Sequence, residues 1–368
     1  MESKFNPSLS GAHSYNPKKI YPKYILYEGK LIDIEGNTVK RWKNNYLGLI
    51  LPNGNYAAQK DYEAKRWGLY TWDGKPIWEK DFAIHHEIVL TPQNTLITFD
   101  KEMRPYKGRN VDFCVIVEYD LKGNELSRWS TWDNLEYLKT FHPPLELERP
   151  KVFFLPETAK RKDPTPWGGN YDYYRTNSLQ VIPENKLGKK DKRFQKGNWL
   201  ISFRHGSMIF ILDKDTKKIV WKCGHDYIKD SLEGQHSPKI LKNGNMFIFD
   251  NGRYRKWSRI IEINPLNYEI LWEYRADNFF SLSEGYVENL SNGNFLVTES
   301  EKGRAFELTP GKQIVWEFYH PDVQNRINSM HPESYGTRQW IYRATHYSKK
   351  FIDAIIRENK KQKKLSKL

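Results

Sequence analysis

Cysteine is scarce in this 368-residue chain: only Cys114 and Cys223 occur, and no CxxC pair exists. That excludes a disulfide framework and a cysteine-bound zinc. Each thiol sits in a strand-like apolar stretch, 113–117 and 219–223, and is expected to be buried, so a reducing compartment is allowed. Long apolar runs are lacking too, and none approaches the roughly 20 residues of a membrane span. The first twenty residues are polar and hold no apolar segment of the kind a secretory signal carries, which makes a cytoplasmic location the expectation. No acidic residue stands at ligand spacing to the histidines singled out below, so no metal is expected, and no cofactor either.

Apolar residues make up 38% of the chain and aromatics 15%, enough for one large core or two ordinary ones. The excess of 59 basic over 45 acidic residues gives +14, which suits an anionic ligand. Much of it is local. The segment 186–196 carries six basic residues, and 349–368 carries eight against two acidic ones. Such runs are usually solvated, and no aromatic interleaves the lysines of the tail, which argues against nucleic-acid binding.

The chain repeats itself. Asp33-Ile34-Glu35-Gly36 leads to Trp42, Trp72-Asp73-Gly74-Lys75 to Trp78, and Asp120-Leu121-Lys122-Gly123-Asn124 to Trp129; Leu212-Asp213 leads to Trp221, Ile263-Asn264-Pro265 to Trp272, and Thr309-Pro310-Gly311-Lys312 to Trp316. Intervals of 36, 51, 92, 51 and 44 residues fit a four-stranded unit with variable loops and one insertion. Inside the units a second turn recurs at Asn53-Gly54-Asn55, Pro92-Gln93-Asn94, Asn243-Gly244-Asn245 and Asn292-Gly293-Asn294, a pattern of tight hairpins. In the third unit the same turn, at Pro183-Glu184-Asn185, is extended by a basic loop. The expected fold is all-β: a six-bladed β-propeller of four-stranded blades over 24–347. The last unit lacks its inner hairpin after Trp316, so a strand over 339–345 is expected to pair with N-terminal strands at 24–33 and 38–42 and close the ring, removing the open edges. Residues 1–23 read as an N-terminal extension. Phe351, Ile352, Ile355 and Ile356 recur at helical spacing, so 348–368 reads as a short helix to about residue 359 followed by a frayed tail.

Nine residues before the aligned turn asparagine, each unit enters its innermost strand. The residues there are Tyr46, His85 and His236, with Gly285 in the fifth unit and Asn177 in the third; His86, Arg175, Gln235, Glu284 and the pair Arg204-His205 lie nearby. A tryptophan at a repeated position is blade packing, and a lone strand histidine is usually a hydrogen-bonded core residue. Imidazole at the same axial register of independent repeats is different, because it can hold an anion or move a proton near neutral pH. Arg253 and Arg255 follow Asp250-Asn251-Gly252, where a planar fork could clamp a sulfate or phosphate.

Several stretches together resemble the arylsulfotransferase family of six-bladed propellers: His85-His86-Glu87 before 90–97, Asn177-Ser178 before Leu200-Ile201-Ser202-Phe203-Arg204-His205, Gln235-His236 before Phe249-Asp250-Asn251-Gly252 and Ser258-Arg259, Gly303-Arg304-Ala305-Phe306-Glu307, and the closing Ile341-Tyr342-Arg343-Ala344 with Tyr347. The resemblance implies PAPS-independent transfer of a sulfuryl group from an aryl sulfate to a phenol through a transiently sulfated histidine. It matches His236 and Arg255 to the family's sulfate-binding pair and leaves His85 and His205 as proton carriers or as the sulfated residue. Arg175, Asn177, Tyr46, Arg204 and Gln235 are then the substrate-binding candidates. Two departures stand out: Arg175 replaces a histidine that many members carry, and the fifth unit has Glu284-Gly285 where the family's sulfated histidine is sought.

Three other readings compete. One is a non-enzymatic propeller that binds an anionic ligand or a protein. A quinone-dependent dehydrogenase shares the turn-to-tryptophan pattern but needs about eight blades. Nucleic-acid binding would rest on the basic segments alone.

Overall fold

Each repeat folds as two successive hairpins, and the tightness of the turns explains why the punctuation recurs. In the inner hairpins Leu51, Thr91, Leu241 and Leu290 donate their N–H to the carbonyls of Asn55, Thr95, Asn245 and Asn294 at 2.7–2.9 Å. The turn needs a left-handed residue, supplied by Gly54, Gly244 and Gly293 at φ +82, +95 and +88, and in one blade by Asn94 at φ +59, a conformation asparagine tolerates. The computed structural model describes residues 6, 8–43, 45–60, 66–82, 84–142, 145–146, 171–323 and 338–365.

Six antiparallel sheets result, and every blade has four strands or more. From the innermost strand outward, blade 2 is Asn45–Ile50, Tyr56–Lys60, Arg66–Tyr70 and Pro76–Lys80. Blade 3 is His85–Leu90, Leu96–Tyr106, Arg109–Tyr119 and Glu125–Ser130. Blade 4 is Thr176–Val181, Trp199–Phe203, Met208–Leu212 and Ile219–Cys223. Blade 5 is His236–Ile240, Met246–Asp250, Arg259–Ile263 and Ile270–Tyr274. Blade 6 is Tyr286–Asn289, Phe295–Glu299, Arg304–Leu308 and Ile314–Tyr319, with Gly11–Ser14 added on its outer edge. Blade 1 is composite: Thr345–Ser348 is innermost, followed by Lys23–Tyr27, Lys30–Ile32 and Thr38–Arg41. The six-bladed all-β propeller expected from the repeats is the fold.

The repeated tryptophans pin blade to blade. Trp42 Nε1 donates to Trp72 O, Trp78 to Leu121 O, Trp221 to Pro265 O, Trp272 to Pro310 O and Trp316 to Ile34 O, at 2.7–3.0 Å. Each acceptor lies in the outer turn of the next blade, and the last bond runs from blade 6 back to blade 1. Trp129 Nε1 has no such acceptor among the described residues.

Four details differ from the sequence reading. The closing strand is Thr345–Ser348, not 339–345, because the preceding residues are used elsewhere: Ile341 N donates to Ser300 O and Ala344 N to Thr298 Oγ1, and the Arg343 side chain turns to Glu87. The N-terminal extension contributes a strand, Gly11–Ser14, whose neighbour Tyr15 donates to Glu317 Oε2 at 2.9 Å. The C-terminal helix runs over Lys349–Leu365, longer than expected, since its lysines are good helix formers and Lys363 reaches Asp73 at 2.9 Å. The second hairpin of blade 3 is 11 residues per strand and also pairs in parallel with Tyr171–Asp172. Both cysteines are buried and unbonded to one another. Among the described residues no helix is long and apolar enough to cross a membrane.

Candidate active site

At one end of the channel the innermost strands begin irregularly. The ladder is interrupted in blade 2 between Asn45 and Leu47, in blade 3 between His85 and Ile88, in blade 4 between Thr176 and Ser178, and in blade 5 between His236 and Lys239. His86, Arg175, Ser237 and Glu284 take left-handed φ values of +60, +47, +53 and +60 at this level. All four residues line the two cavities at this level. Strain of this kind gathers where function needs a particular side-chain direction.

His236 is the best-defined group. Its Nδ1 lies 2.8 Å from Asn251 Oδ1 and 3.1 Å from Gly234 O. The Asn251 amide cannot be turned the other way, because its nitrogen faces two carbonyls, Ser281 O at 2.8 Å and Glu284 O at 2.7 Å, which only accept. Asn251 therefore offers an oxygen to His236, Nδ1 carries the proton, and Nε2 keeps its lone pair. Burial, reinforced by the Arg204 and Arg175 charges, depresses the His236 pKa to about 3. The ring is neutral throughout the physiological range and presents a lone pair at Nε2 rather than a positive charge.

His236 lines a narrow cavity with Asn177, Ser237, Glu284, Gly285, Tyr342 and Arg343. Asn177 Nδ2 donates to Gln235 O at 2.7 Å, while its buried Oδ1 has no partner among the described residues. Arg343 pairs with Glu87 and donates to His86 O at 2.8 Å. Glu284 has a raised carboxyl pKa, well above the usual range, first because it is buried and next because Glu301 is close; Arg175 and Arg204 oppose the shift without cancelling it.

A second cavity adjoins the first, lined by His85, His86, Lys101, Asp112, Cys114, Asp172, Arg175 and Thr176. His85 and His86 share one hydrogen bond, Nδ1 to Nδ1, at 2.8 Å, and the His86 ring stands 6.4 Å from that of His236. Burial and the Lys101 charge lower the His85 pKa to about 3. Asp112, 2.8 Å from Lys101 Nζ, is pushed up to about 6 by burial against the opposing pull of Lys101. Arg175 is bound to Asp172 at 3.3 Å, and its charge acts on both cavities, depressing His85, His86 and His236 together.

The sequence candidates thus fall into distinct places. His236, Asn177 and Arg175 come together, and Arg204, buried with Nη2 3.4 Å from Leu282 O, acts electrostatically on His236 and Glu284. His85 reaches this centre through His86. His205 stands back from it, with Nδ1 3.1 Å from Tyr173 O and its charge felt by Asp172. Gln235 is structural: its Nε2 donates to Ser202 Oγ, Phe203 O and Met208 O. Tyr46 is in the innermost strand of blade 2, but its side chain lies outside the described residues. Arg255 is a correction. Its guanidinium is 2.8 Å from Asp250 Oδ2, donates to Trp257 O and Ser231 O, and stacks 4.3 Å over the Trp257 ring, so it secures its own loop instead of reaching an anion beside His236. Arg255 is therefore not placed beside His236 as the sulfate-binding pair that the resemblance implied. Asn251, Glu284, Tyr342, Arg343 and the Lys101–Asp112–Asp172 group were not among the site candidates. Among the described residues no group of three or more His, Cys, Asp or Glu side chains could hold a metal.

The channel end thus carries a tautomer-fixed imidazole on which the charges of Arg204 and Arg175 act. The chain belongs to the arylsulfotransferase (ASST) family, whose sequence model matches residues 59–321. No curated protein matches it significantly in sequence. Among solved structures it is similar to a Bacteroides caccae protein of unknown function, at 14% identity and a TM-score of 0.50, over 88% of this chain and 98% of that one. The Dos1 propeller, at 11% identity over 88% and 75% of the two chains, aligns more loosely, with a TM-score of 0.41. So does the Staphylococcus aureus virginiamycin B lyase, at 10% identity over 84% and 87%, also at 0.41.

Proposed function

We propose that this chain transfers a sulfuryl group from a phenolic sulfate ester to a second phenol without PAPS, through a covalent intermediate on His236 Nε2. The observation that carries the reading is the clamp on His236: Ser281 O and Glu284 O orient the Asn251 amide, Asn251 Oδ1 takes the Nδ1 proton, and the remaining lone pair is left for the sulfur. In the first half-reaction the Nε2 pair forms the N–S bond as the S–O bond to the donor phenol breaks. The sulfated ring is then an imidazolium, and Asn251 Oδ1 already accepts its Nδ1–H. In the second half-reaction the acceptor oxygen attacks sulfur and the S–N pair returns to Nε2. Arg175 and Arg204, whose charges converge on His236, supply the fixed positive field that the equatorial oxygens need as charge builds.

Purified protein is mixed with 4-nitrophenyl sulfate with and without an added phenol. The reading requires a burst of 4-nitrophenol equal to the enzyme present, acceptor-dependent turnover afterwards, and one SO3 on the peptide holding His236. His236→Ala is expected to abolish burst and turnover, a loss of roughly 10³-fold or more. Binding of aryl sulfate with no burst would make this a non-enzymatic anion-binding propeller.

A further inference from the structure

The transfer moves a proton as well as a sulfuryl group, and His236 cannot supply it. Its ring is neutral, its Nδ1 proton is committed to Asn251, and its Nε2 is the nucleophile. A donor whose phenol is weakly acidic must be protonated as it leaves, and the acceptor must lose a proton as it attacks. The channel histidines serve poorly as acids, since burial and the neighbouring cations leave His85 and His86 uncharged.

One residue in the His236 cavity meets the requirement. Resting on the sulfuryl-transfer reading above, we infer that Glu284 is the general acid and base of both half-reactions, its carboxyl group giving its proton to the departing phenol and recovering one from the incoming phenol. Three independent features point to it. Glu284 lines the same cavity as His236. Its Oε2 is buried and has no hydrogen-bond partner among the described residues, the condition of a group kept for a ligand. Its backbone is fixed twice over, by the left-handed φ of +60 and by the bond from Asn251 Nδ2 to its carbonyl oxygen, so the amide that sets the nucleophile also sets the acid. Gly285, the next residue, stands at the register where other repeats place His85 and His236.

The carboxyl faces a mixed set of charges. Glu301 and Glu28 push its pKa up beyond the effect of burial, while Arg175 and Arg204 pull it down; His236, Tyr342 and Arg343, itself paired with Glu87, complete the surroundings. Glu301 stays fixed by the N–H groups of Leu282 and Ser283 and the Ser283 hydroxyl. Burial and Glu301 thus favour the protonated carboxyl, the form that has a proton to give. As the S–O bond breaks, its electron pair goes to the phenolic oxygen, which takes the Glu284 proton, and the carboxylate left behind is balanced by Arg175 and Arg204. In the second half-reaction the acceptor O–H returns a proton to that carboxylate while its oxygen bonds to sulfur.

The experiment compares Glu284→Gln with the parent on aryl sulfates whose phenols range from 4-nitrophenol, which leaves readily as the anion, to 4-methylphenol, with a pKa of about 10 like a tyrosine. An acid that protonates the leaving group matters most for the poorest one. The variant should lose about 100-fold or more in kcat/KM on 4-methylphenyl sulfate and less than about 10-fold on 4-nitrophenyl sulfate. The parent should lose rate as rising pH ionises Glu284, and that loss should be absent from the variant. Glu284→Gly, which accepts the left-handed φ and leaves space, should regain rate on the poor donor when acetate is added at mildly acidic pH. A loss of equal size across all donors, with the pH profile of the parent retained and no rescue by acetate, overturns the assignment. A parent protein inactive on every donor would overturn the sulfuryl-transfer reading itself and this inference with it.

Discussion

At the scale of single residues the side chain of Asn251 decides more than any ionisable group. Its two donated bonds fix its own orientation, and that orientation fixes the His236 tautomer. In spectra of protein carrying nitrogen-labelled histidine, His236 should show a protonated Nδ1 and a bare Nε2 with no titration between pH 5 and 8, whereas an exposed histidine would titrate near 6.5. Asn251→Leu should cost roughly 2–4 kcal/mol of stability by stranding Ser281 O and Glu284 O, and should lower turnover beyond what that destabilisation explains. The buried imidazoles also shape acid stability. His85 and His236 stay neutral in the fold but take protons on unfolding below about pH 6.5, so the stability tied to them is complete above that pH and declines as pH falls toward about 3. The melting temperature should therefore fall between pH 7 and 5, with a shallower slope in His236→Gln. His236 could be picked out of the sequence because register repeats. Arg255 was misplaced because it lies in a loop, where no periodicity tells which way a side chain points. Glu284 lies beside the ring of axial residues in the sequence, but its chemistry depends on burial and on Glu301, Arg175 and Arg204, which no local pattern reveals.

At the scale of elements the tryptophans act through one polar atom as well as through their area. Removing an indole that donates across a blade boundary strands the acceptor carbonyl, whereas removing one without an acceptor loses packing alone. Trp316→Phe, which breaks the 2.7 Å bond to Ile34 O, is expected to destabilise the protein by about 1–2 kcal/mol more than Trp129→Phe, whose Nε1 has no acceptor among the described residues. Urea titration of the two variants measures the difference; equal losses would mean that these bonds add nothing beyond packing. Blade count, the repeated turns and the innermost-strand register of the blades that carry them were readable in the sequence, because tight turns demand particular residues and strands demand alternation, whereas the closing strand Thr345–Ser348, which has no such turn, was not. The second cavity was not. It exists because the long hairpin of blade 3 carries Lys101 and Asp112 beyond the regular blade and the parallel pairing of Tyr171–Asp172 brings Asp172 back after a long insertion, a contact between distant segments that no local pattern announces.

At the scale of the whole molecule the ring depends on its composite blade. Thr345–Ser348 is the innermost strand there, and it arrives from the far end of the chain to pair with Lys23–Tyr27. Tyr347 Oη accepts the N–H of Ile50 at 2.8 Å, tying that strand to blade 2, and the helix behind it buries Ile352 and Ile355. Fully burying three such side chains is worth roughly 1.5–3 kcal/mol apiece, or about 5–9 kcal/mol together. A typical domain holds only about 5–15 kcal/mol in total. A chain ending at Arg343 should therefore fail to fold as a closed ring: it also exposes the edge of Lys23–Tyr27, an invitation to aggregation. A chain ending at Asn359 should behave otherwise, because what it loses among the described residues is exposed helix and the Lys363–Asp73 pair, and such pairs contribute about 0–1 kcal/mol. Supplying a peptide of residues 344–365 to the shorter chain during refolding should restore soluble monomer and a cooperative melt. Cooperative, soluble behaviour of the Arg343-terminated chain without the peptide would show that the other five blades close on their own and that the composite blade is an accessory to the ring rather than its lock.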